Sequence, residues 1–101
     1  MLPYEWPGST YNYHIFPVLM TDEQERDGVA AAMLKEGVDT SQIYSNAISH
    51  SRKLGYIAGC PISESVAARL LTLPNYASLS RADIERVAGA FLQAVIQYRH
   101  N

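Results

Sequence analysis

The chain has 101 residues, of which 48% are hydrophobic and 18% are charged, and its formal net charge at pH 7 is −2. This length and composition predict one folded domain and exclude a chain that is disordered throughout. The small negative charge offers no field for a phosphate backbone, and no apolar stretch is long enough to cross a bilayer. We therefore expect a cytoplasmic protein that binds neither nucleic acid nor membrane.

The first ten residues contain two prolines and a glycine, which predict an extended arm over residues 1–10 and a folded domain over residues 11–101. Tyr4 and Trp6 would expose a large apolar area on a free arm, so we expect the arm to pack on its own domain or on a second copy. Residues 11–20 are almost continuously apolar and predict a strand covered on both faces, with Pro17 at a sheet edge or beside a bulge.

A helix is predicted to start at Thr21, because residues 21–24 fit a capping box. Gly37 should end this helix in a Schellman motif, and Gly28 should weaken it by about 1 kcal/mol relative to alanine. The charged residues in positions 22–27 indicate a solvated helix start. Residues 39–44 predict a short second strand, and residues 45–59 lack a regular period.

Pro61 suits the first position of a second helix, with Ile62, Val66, Ala67 and Leu70 at helical spacing. That helix leads into a third strand at residues 71–73. Ser80 and Asp83 fit a second capping box, and apolar residues from Ile84 to Tyr98 recur every three or four positions, which predicts a long final helix. This order of elements predicts an α+β fold, a small two-layer sandwich of a three- to four-stranded mixed or antiparallel sheet with about three helices packed on it.

The residues alone show no complete catalytic constellation and no metal site. Cys60 precedes a predicted helix and is a candidate reactive thiol, but no histidine lies nearby in sequence to complete a nucleophile–base pair. Ser49-His50-Ser51 lacks the Gly-x-Ser-x-Gly elbow of hydrolases, and the three histidines and one cysteine lack zinc spacing. Lys35 and Lys53 lack visible partners for a Schiff base. An independent hydrolase is the weakest hypothesis.

Six short segments carry a resemblance to a known family. They are residues 13–17 (Tyr-His-Ile-Phe-Pro), 35–40 (Lys-Glu-Gly-Val-Asp-Thr), Tyr44, 59–64 (Gly-Cys-Pro-Ile-Ser-Glu), 71–74 (Leu-Thr-Leu-Pro) and 79–80 (Leu-Ser). Each is weak alone, but their order and spacing together resemble the C-terminal small domain of DegT/StrS-type sugar aminotransferases. The resemblance runs from about Tyr11 to Tyr98.

The resemblance implies a role at a sugar-binding site. Such enzymes are homodimeric, fold-type I proteins that use pyridoxal phosphate to transfer an amino group from glutamate or glutamine to a nucleotide-linked keto-sugar. Their small domain closes part of the active site, which implies that Tyr44, Asn46 and His50 lie near a sugar nucleotide, with His14 as a further candidate. The cofactor's lysine belongs to a preceding large domain, so the resemblance implies no catalytic or cofactor-binding residue in this chain.

This chain departs from the family pattern around the tyrosine. Many relatives have a histidine where Ile43 stands and prolines in place of residues 45–47, and His50 lies about one position from the family's histidine. These departures affect the loop that the resemblance assigns to substrate contact.

Two hypotheses follow. The first is an isolated C-terminal domain of a keto-sugar aminotransferase, truncated or separately encoded, that lacks the lysine-bearing domain and is inactive alone. The second is a non-catalytic binding or assembly module that self-associates as a homodimer or docks on a full-length aminotransferase chain. The sequence leaves open whether the chain takes part in an enzyme, and it specifies neither the sugar nor the amino donor.

Overall fold

A computed structural model of the chain describes residues 1–10, 15–42, 53–55 and 59–100. Within these ranges the two strands pair antiparallel, with Phe16 opposite Leu73 and Leu19 opposite Leu70. The predicted α+β class is confirmed. In chain order the elements are strand β1 (Phe16–Leu19), helix α1 (Glu23–Lys35), helix α2 (Pro61–Arg69), strand β2 (Leu70–Leu73) and helix α3 (Arg81–His100).

The sheet is smaller than predicted, because the described residues hold two strands and not three or four. Where the second strand was expected, Ser41 forms a single antiparallel bridge to Thr72. Asp39 accepts a hydrogen bond from the Thr40 amide at 3.0 Å, and a side chain that engages a backbone donor in this way competes with strand pairing. Residues 11–14 of the first predicted strand and residues 43–44 of the second lie outside the described ranges.

On its outer edge, each of the two strands forms backbone hydrogen bonds with one further residue. Leu19 donates its amide to the Met1 carbonyl at 2.9 Å and accepts from the Met1 amine at 2.6 Å. On the other edge, Thr72 donates to the Ser41 carbonyl at 2.8 Å and accepts from the Ser41 amide at 3.1 Å. Pro17 shares the outward orientation of Leu19, so its missing N–H faces away from β2, as an edge position requires.

Helix α1 begins one residue later than predicted. Asp22 is the N-cap, and its Oδ1 accepts from the Glu25 amide at 2.8 Å. Glu25 Oε1 in turn accepts from the Thr21 amide at 3.0 Å. The predicted capping box was therefore wrong by one position, because an aspartate next to a threonine is at least as good a cap.

The C-terminus of α1 is the predicted Schellman motif. Gly37 has φ +82°, which favours glycine, and its amide donates to the Leu34 carbonyl at 2.9 Å. The Val38 amide donates to the Met33 carbonyl at 2.9 Å, which completes the motif.

Helix α3 begins with the predicted capping box. The Asp83 amide donates to Ser80 Oγ at 3.1 Å, and the Ser80 amide donates to Asp83 Oδ2 at 3.2 Å. The buried face is rotated from the predicted one, since Ala94 is buried whereas Ile84 and Ala88 are exposed. The helix therefore turns part of its apolar surface away from the core.

The hydrophobic core lies between the sheet, α1 and α3. Helix α2 adds Ala67, whereas Ile62 is 82% exposed, against the prediction from helical spacing. The connected buried side chains are Val18, Met20, Val29, Met33, Val38, Leu71 and Ala94, and the partly buried side chains packed against them include Phe16, Val87, Phe91, Val95 and Tyr98.

Helices α1 and α3 approach closely at Gly28. A Cβ atom at this position would lie 2.7 Å from Cδ2 and 2.9 Å from Cε2 of the Tyr98 ring. The ring therefore occupies the space that any side chain would need, which explains a glycine inside a helix despite its low helix propensity.

The same crossing carries a charge pair. Glu25 is buried, with 4% of its side chain exposed, and it accepts hydrogen bonds from Arg99 Nε at 2.9 Å and Nη2 at 3.4 Å. The hydrogen bond from Arg99 lowers the pKa of Glu25 by more than burial raises it, and the bond from Thr21 adds to the lowering. The prediction that this run of charges is exposed to solvent was therefore wrong for Glu25.

A second buried charge joins α1 to α2. Arg26 is buried and donates from Nη1 to the Ala67 carbonyl at 3.1 Å and from Nε to Asp27 Oδ1 at 2.9 Å. Gln42 Nε2 also donates to Asp27 Oδ1, at 3.3 Å. The polar face of α1 thus fixes both α2 and the segment that follows the Ser41 bridge.

Gly28→Ala is expected to destabilise the protein, because the new methyl group overlaps the Tyr98 ring. Overpacking of this kind costs about 1–3 kcal/mol, more than alanine gains in helix propensity. Gly89→Ala is the matched control within α3, since a Cβ there meets nothing within 4 Å, and it should stabilise by up to about 1 kcal/mol. Urea unfolding measures both variants, and equal stabilisation by both would contradict the close crossing.

Glu25→Gln is expected to change how stability depends on pH. Because the pKa of Glu25 is lowered from 4.5 in the folded protein, its carboxylate stabilises the fold above that pH, and this contribution is lost as the pH falls through the folded pKa. The variant should therefore lower the free energy of unfolding at neutral pH and flatten its decline as the pH falls below 4.5.

Glu85→Gln is the control for this experiment. It removes the exposed pair with Arg81, whose atoms lie 3.5 Å apart, and should change stability by less than about 1 kcal/mol. Unfolding curves recorded across the acid range test both variants. An acid limb that Glu25→Gln leaves unchanged would show that the Arg99 pair does not stabilise the fold.

Candidate functional site

A cleft of about 450 Å³ lies between the C-terminus of α1, strand β2 and the start of α3. We call it the polar cleft, because hydroxyl, carboxylate and guanidinium groups alternate with apolar side chains along it. Its polar lining residues are Asp39, Thr40, Ser41, Thr72, Tyr76, Asp83 and Arg86, and its apolar ones include Val38, Leu73, Pro74, Leu79 and Val87.

The local structure holds several of these polar groups in place. Thr72 is buried on β2, and its Oγ1 donates to the Ser41 carbonyl at 3.1 Å. Arg86 Nη2 donates to the Glu36 carbonyl at 2.9 Å, at the end of α1 where the helix dipole favours a cation. Asp83 serves in the capping box of α3. Hydrogen bonds thus hold Thr72, Asp83 and Arg86 in the walls of the cleft.

The polar cleft is lined by groups that can bind a polar ligand. Its described lining contains hydroxyl, carboxylate and guanidinium groups but no histidine, cysteine or lysine. Hydroxyls, a guanidinium and the exposed ring of Tyr76 are groups that hydrogen-bond and stack against a polyhydroxylated ligand.

A second opening, the apolar groove, adjoins the polar cleft and also has a volume of about 450 Å³. The segment from Leu73 to Leu79 forms a wall common to both openings. The groove continues along the first turns of α3. Its lining residues are Phe16, Leu73, Pro74, Asn75, Tyr76, Ala77, Leu79, Ile84, Val87 and Ala88.

The site residues predicted from the resemblance, His14, Tyr44, Asn46 and His50, all lie outside the described ranges. Their described neighbours adjoin opposite ends of the sheet. Phe16 pairs with Leu73, so the chain enters β1 at the Leu73 end. Ser41 bridges to Thr72 in the antiparallel sense, so the chain runs from Ser41 toward the Leu70 end of β2. The next residue, Gln42, contacts Asp27 on α1.

Sequence reasoning missed the polar cleft as a site. A threonine inside the apolar run of residues 70–73 was the available signal, because a buried hydroxyl requires a hydrogen-bond partner. Arg86 carried no such signal, since its partner is a backbone carbonyl 50 residues away in the chain.

The lysines of the chain do not fit a resident pyridoxal phosphate. Lys35 and Lys53 are the two lysines, and both are exposed. A Schiff-base lysine requires a desolvated pocket with partners for the cofactor. In the described part of the chain no group of residues has the composition of a metal site, and no helix is both long and apolar enough to cross a membrane. Cys60 lies exposed at the start of α2.

Comparison with known proteins decides the family. The profile of the DegT/DnrJ/EryC1/StrS aminotransferase family matches residues 3–92, nearly the whole chain. The chain belongs to this family. The resemblance drawn from the six short segments is therefore confirmed at the level of the family.

Two relatives illustrate the match. The chain is 34% identical over 97 residues to a dTDP-4-dehydro-2,3,6-trideoxy-D-glucose 4-aminotransferase of Saccharopolyspora spinosa, which covers 94% of this chain and 24% of the relative. It is 32% identical over 79 residues to a UDP-N-acetyl-3-dehydro-alpha-D-glucosamine 3-aminotransferase of Acidithiobacillus ferrooxidans, which covers 75% of this chain and 21% of the relative. The aligned part of the chain thus corresponds to less than a quarter of either relative.

Reductive trapping of pyridoxal phosphate tests the lysine environment. Since Lys35 and Lys53 are both exposed, borohydride reduction should label them to similar extents and in proportion to the reagent concentration, as peptide mass mapping would show. Lys35→Arg and Lys53→Arg serve as matched controls that assign each product. Saturable labelling of one lysine at a stoichiometry of one would show that this lysine lies in a cofactor pocket and would contradict the expectation for two exposed lysines.

Proposed function

We propose that the chain is the C-terminal small domain of a nucleotide-sugar aminotransferase and that it has no catalytic activity alone. The observation that carries this proposal is the family match over residues 3–92 together with the small share, 21% and 24%, of the two relatives that it covers. The exposure of both lysines supports the second half of the proposal.

In this proposal pyridoxal phosphate and its lysine come from outside the 101 residues. A partner aminotransferase chain, or a longer protein of which this chain is a part, would supply them. When bound there, the cofactor carries the amino group between donor and sugar. The contribution of this chain is to bind and orient the nucleotide sugar.

The proposed ligand class is a nucleoside diphosphate keto-sugar. Both relatives are named for dehydro-sugars that are linked to UDP or dTDP. Tyr44, Asn46 and His50 are the proposed contacts, with His14 as a further one, and their assignment rests on the family resemblance. The polar cleft lies beside Ser41, three residues before Tyr44 in the sequence, and its hydroxyls and Arg86 provide a second surface for sugar hydroxyls.

A second candidate function is a non-catalytic assembly module that self-associates or docks on a full-length aminotransferase. Exposed apolar side chains on two separate parts of the surface favour it. Tyr4 and Trp6 are exposed on the arm, where their rings pack edge to face with centroids 5.7 Å apart, and Leu92 and Ile96 are exposed on α3. The two functions are compatible, because a binding domain can also assemble.

Titration of the isotope-labelled chain with dTDP-glucose and UDP-N-acetylglucosamine, followed by NMR, tests ligand binding. These compounds are stable analogues of the keto-sugars in the relatives' names. We expect weak binding, with chemical-shift changes at Tyr44, Asn46 and His50 that His50→Ala abolishes. His100→Ala, at the exposed end of α3, is the matched control and should leave binding unchanged.

Two results would contradict the proposal. The first is an absence of shift changes with either nucleotide sugar at millimolar concentration. The second is binding that His50→Ala and His100→Ala affect equally, since the proposed contact would then have no special role. Shift changes at Arg86 and Thr72 as well would extend the site to the polar cleft.

A further inference from the structure

The polar cleft carries an excess of negative charge. Its described lining holds two carboxylates, Asp39 and Asp83, and one guanidinium, that of Arg86, and its other polar residues carry neutral hydroxyls. Two anions and one cation leave a net charge of −1. The C-terminus of α1 also borders the cleft at Gly37, and the negative end of a helix dipole adds to this field. The cleft therefore favours a cationic group over an anionic one.

The guanidinium is directed at the end of α1. Arg86 Nη2 donates to the Glu36 carbonyl at 2.9 Å, and it lies 2.9 Å from the position that a Cβ atom at Gly37 would take. The positive charge of Arg86 is thus held against the helix terminus, where it offsets the partial negative charge of the helix. The two carboxylates remain as the uncompensated charges of the cleft.

Backbone donors orient both carboxylates. Asp39 Oδ1 accepts from the Thr40 amide at 3.0 Å, and Asp83 Oδ2 accepts from the Ser80 amide at 3.2 Å. Within the described part of the chain, the second oxygen of each carboxylate accepts no hydrogen bond. An ionised carboxylate only accepts hydrogen bonds, and its strongest partners are charged donors. Each of these oxygens can therefore bind a donor group of a ligand.

An exposed aromatic ring adjoins these charges. Tyr76 is 60% exposed and lies in the wall that the polar cleft shares with the apolar groove. The face of an aromatic ring attracts a cation and also offers an apolar surface on which the C–H groups of a sugar can pack. The cleft volume of about 450 Å³ is in the range of small-molecule sites and accommodates one sugar ring.

We propose that the polar cleft binds an amino sugar, with the ammonium group at the carboxylates of Asp39 and Asp83. The ring hydroxyls then contact Arg86, Thr40 and Ser41. The net negative charge repels a diphosphate. A keto group only accepts hydrogen bonds and so cannot bond to a carboxylate, whereas a protonated amine offers three donors.

This inference rests on the proposed function, which supplies the class of ligand. Both relatives are named for aminotransferases of dehydro-sugars, and transfer of an amino group to such a sugar replaces a carbonyl by an amine. The amine is therefore the group that distinguishes the product from the substrate. A cleft that selects the amine favours the product, and it holds the sugar end of a nucleotide sugar rather than the diphosphate.

Titration with two matched sugars tests the proposal. 3-Amino-3-deoxyglucose and glucose differ by an amine in place of one hydroxyl, and neither carries a nucleotide. In mildly acidic buffer of low salt, where the amine is protonated, NMR should show shift changes at the amides of Thr40, Ser41 and Thr72 with both sugars. The amino sugar should bind about threefold more tightly, which is the scale of an exposed charge pair, and added salt should reduce the difference.

A pair of variants assigns the preference to the carboxylate. Asp39→Asn should remove most of the preference for the amino sugar, because the amide keeps an oxygen for the Thr40 N–H but loses the charge. Glu85→Gln is the matched control, since it removes one negative charge from α3 at a residue outside the cleft lining, and it should leave the preference unchanged. Circular dichroism of each variant verifies that it folds.

Equal affinities for the two sugars, equal effects of the two substitutions, or no binding of either sugar at high millimolar concentration would each overturn the proposal. The titration with nucleotide sugars is a separate test, because dTDP-glucose and UDP-N-acetylglucosamine carry no protonated amine. Binding of those compounds without selection of the amine in the cleft would refute this inference alone. Selection of the amine without nucleotide-sugar binding would refute the proposed contacts alone.

Discussion

The crossing of α1 over α3 at Gly28 is the constraint on which the rest of this small structure depends. The Tyr98 ring fills the space of the missing side chain, and Glu25 meets Arg99 on the same faces of the two helices. A two-stranded sheet is marginal in water by itself. Here the sheet is stable because the α1–α3 pair covers it with the buried Val29, Met33 and Ala94 and with partly buried side chains around them. The charge pair is partly exposed at Arg99, so close packing rather than electrostatics dominates the crossing.

The features predicted correctly from sequence are those that local chemistry decides. The Schellman motif at Gly37 and the capping box at Ser80 depend on backbone groups within six residues, and the periodic apolar residues of α3 predict a helix wherever it packs. The errors have a common cause in tertiary contacts. Glu25 lies in a run of charges typical of a solvated helix start, and its burial depends on an arginine 74 residues later. Residues 39–42 have the composition of a strand, but the Asp39 side chain engages the Thr40 amide, and these residues pair through one bridge at Ser41.

The same distinction between local chemistry and tertiary contacts applies to the candidate site. The polar cleft exists because the ends of α1, β2 and α3 come together, so no short segment predicts it. The proposed sugar contacts came from resemblance to a family, and the family is confirmed, but His14, Tyr44, Asn46 and His50 lie outside the described ranges. The two lysines of the chain are both exposed, which does not fit a Schiff-base lysine in a desolvated pocket. Binding of a nucleotide sugar and assembly with a second chain are the functions that we propose.

The central claim of this account is that these 101 residues fold as a domain of their own, although they align with less than a quarter of either relative. Native-state hydrogen exchange of the chain tests it most directly. The amides of Val29, Met33 and Ala94, in the buried faces of α1 and α3, should exchange slowly and with one common free energy of opening. Amides in α1 and α3 that exchange as fast as those of an unfolded peptide would show that the domain requires the rest of an aminotransferase to fold.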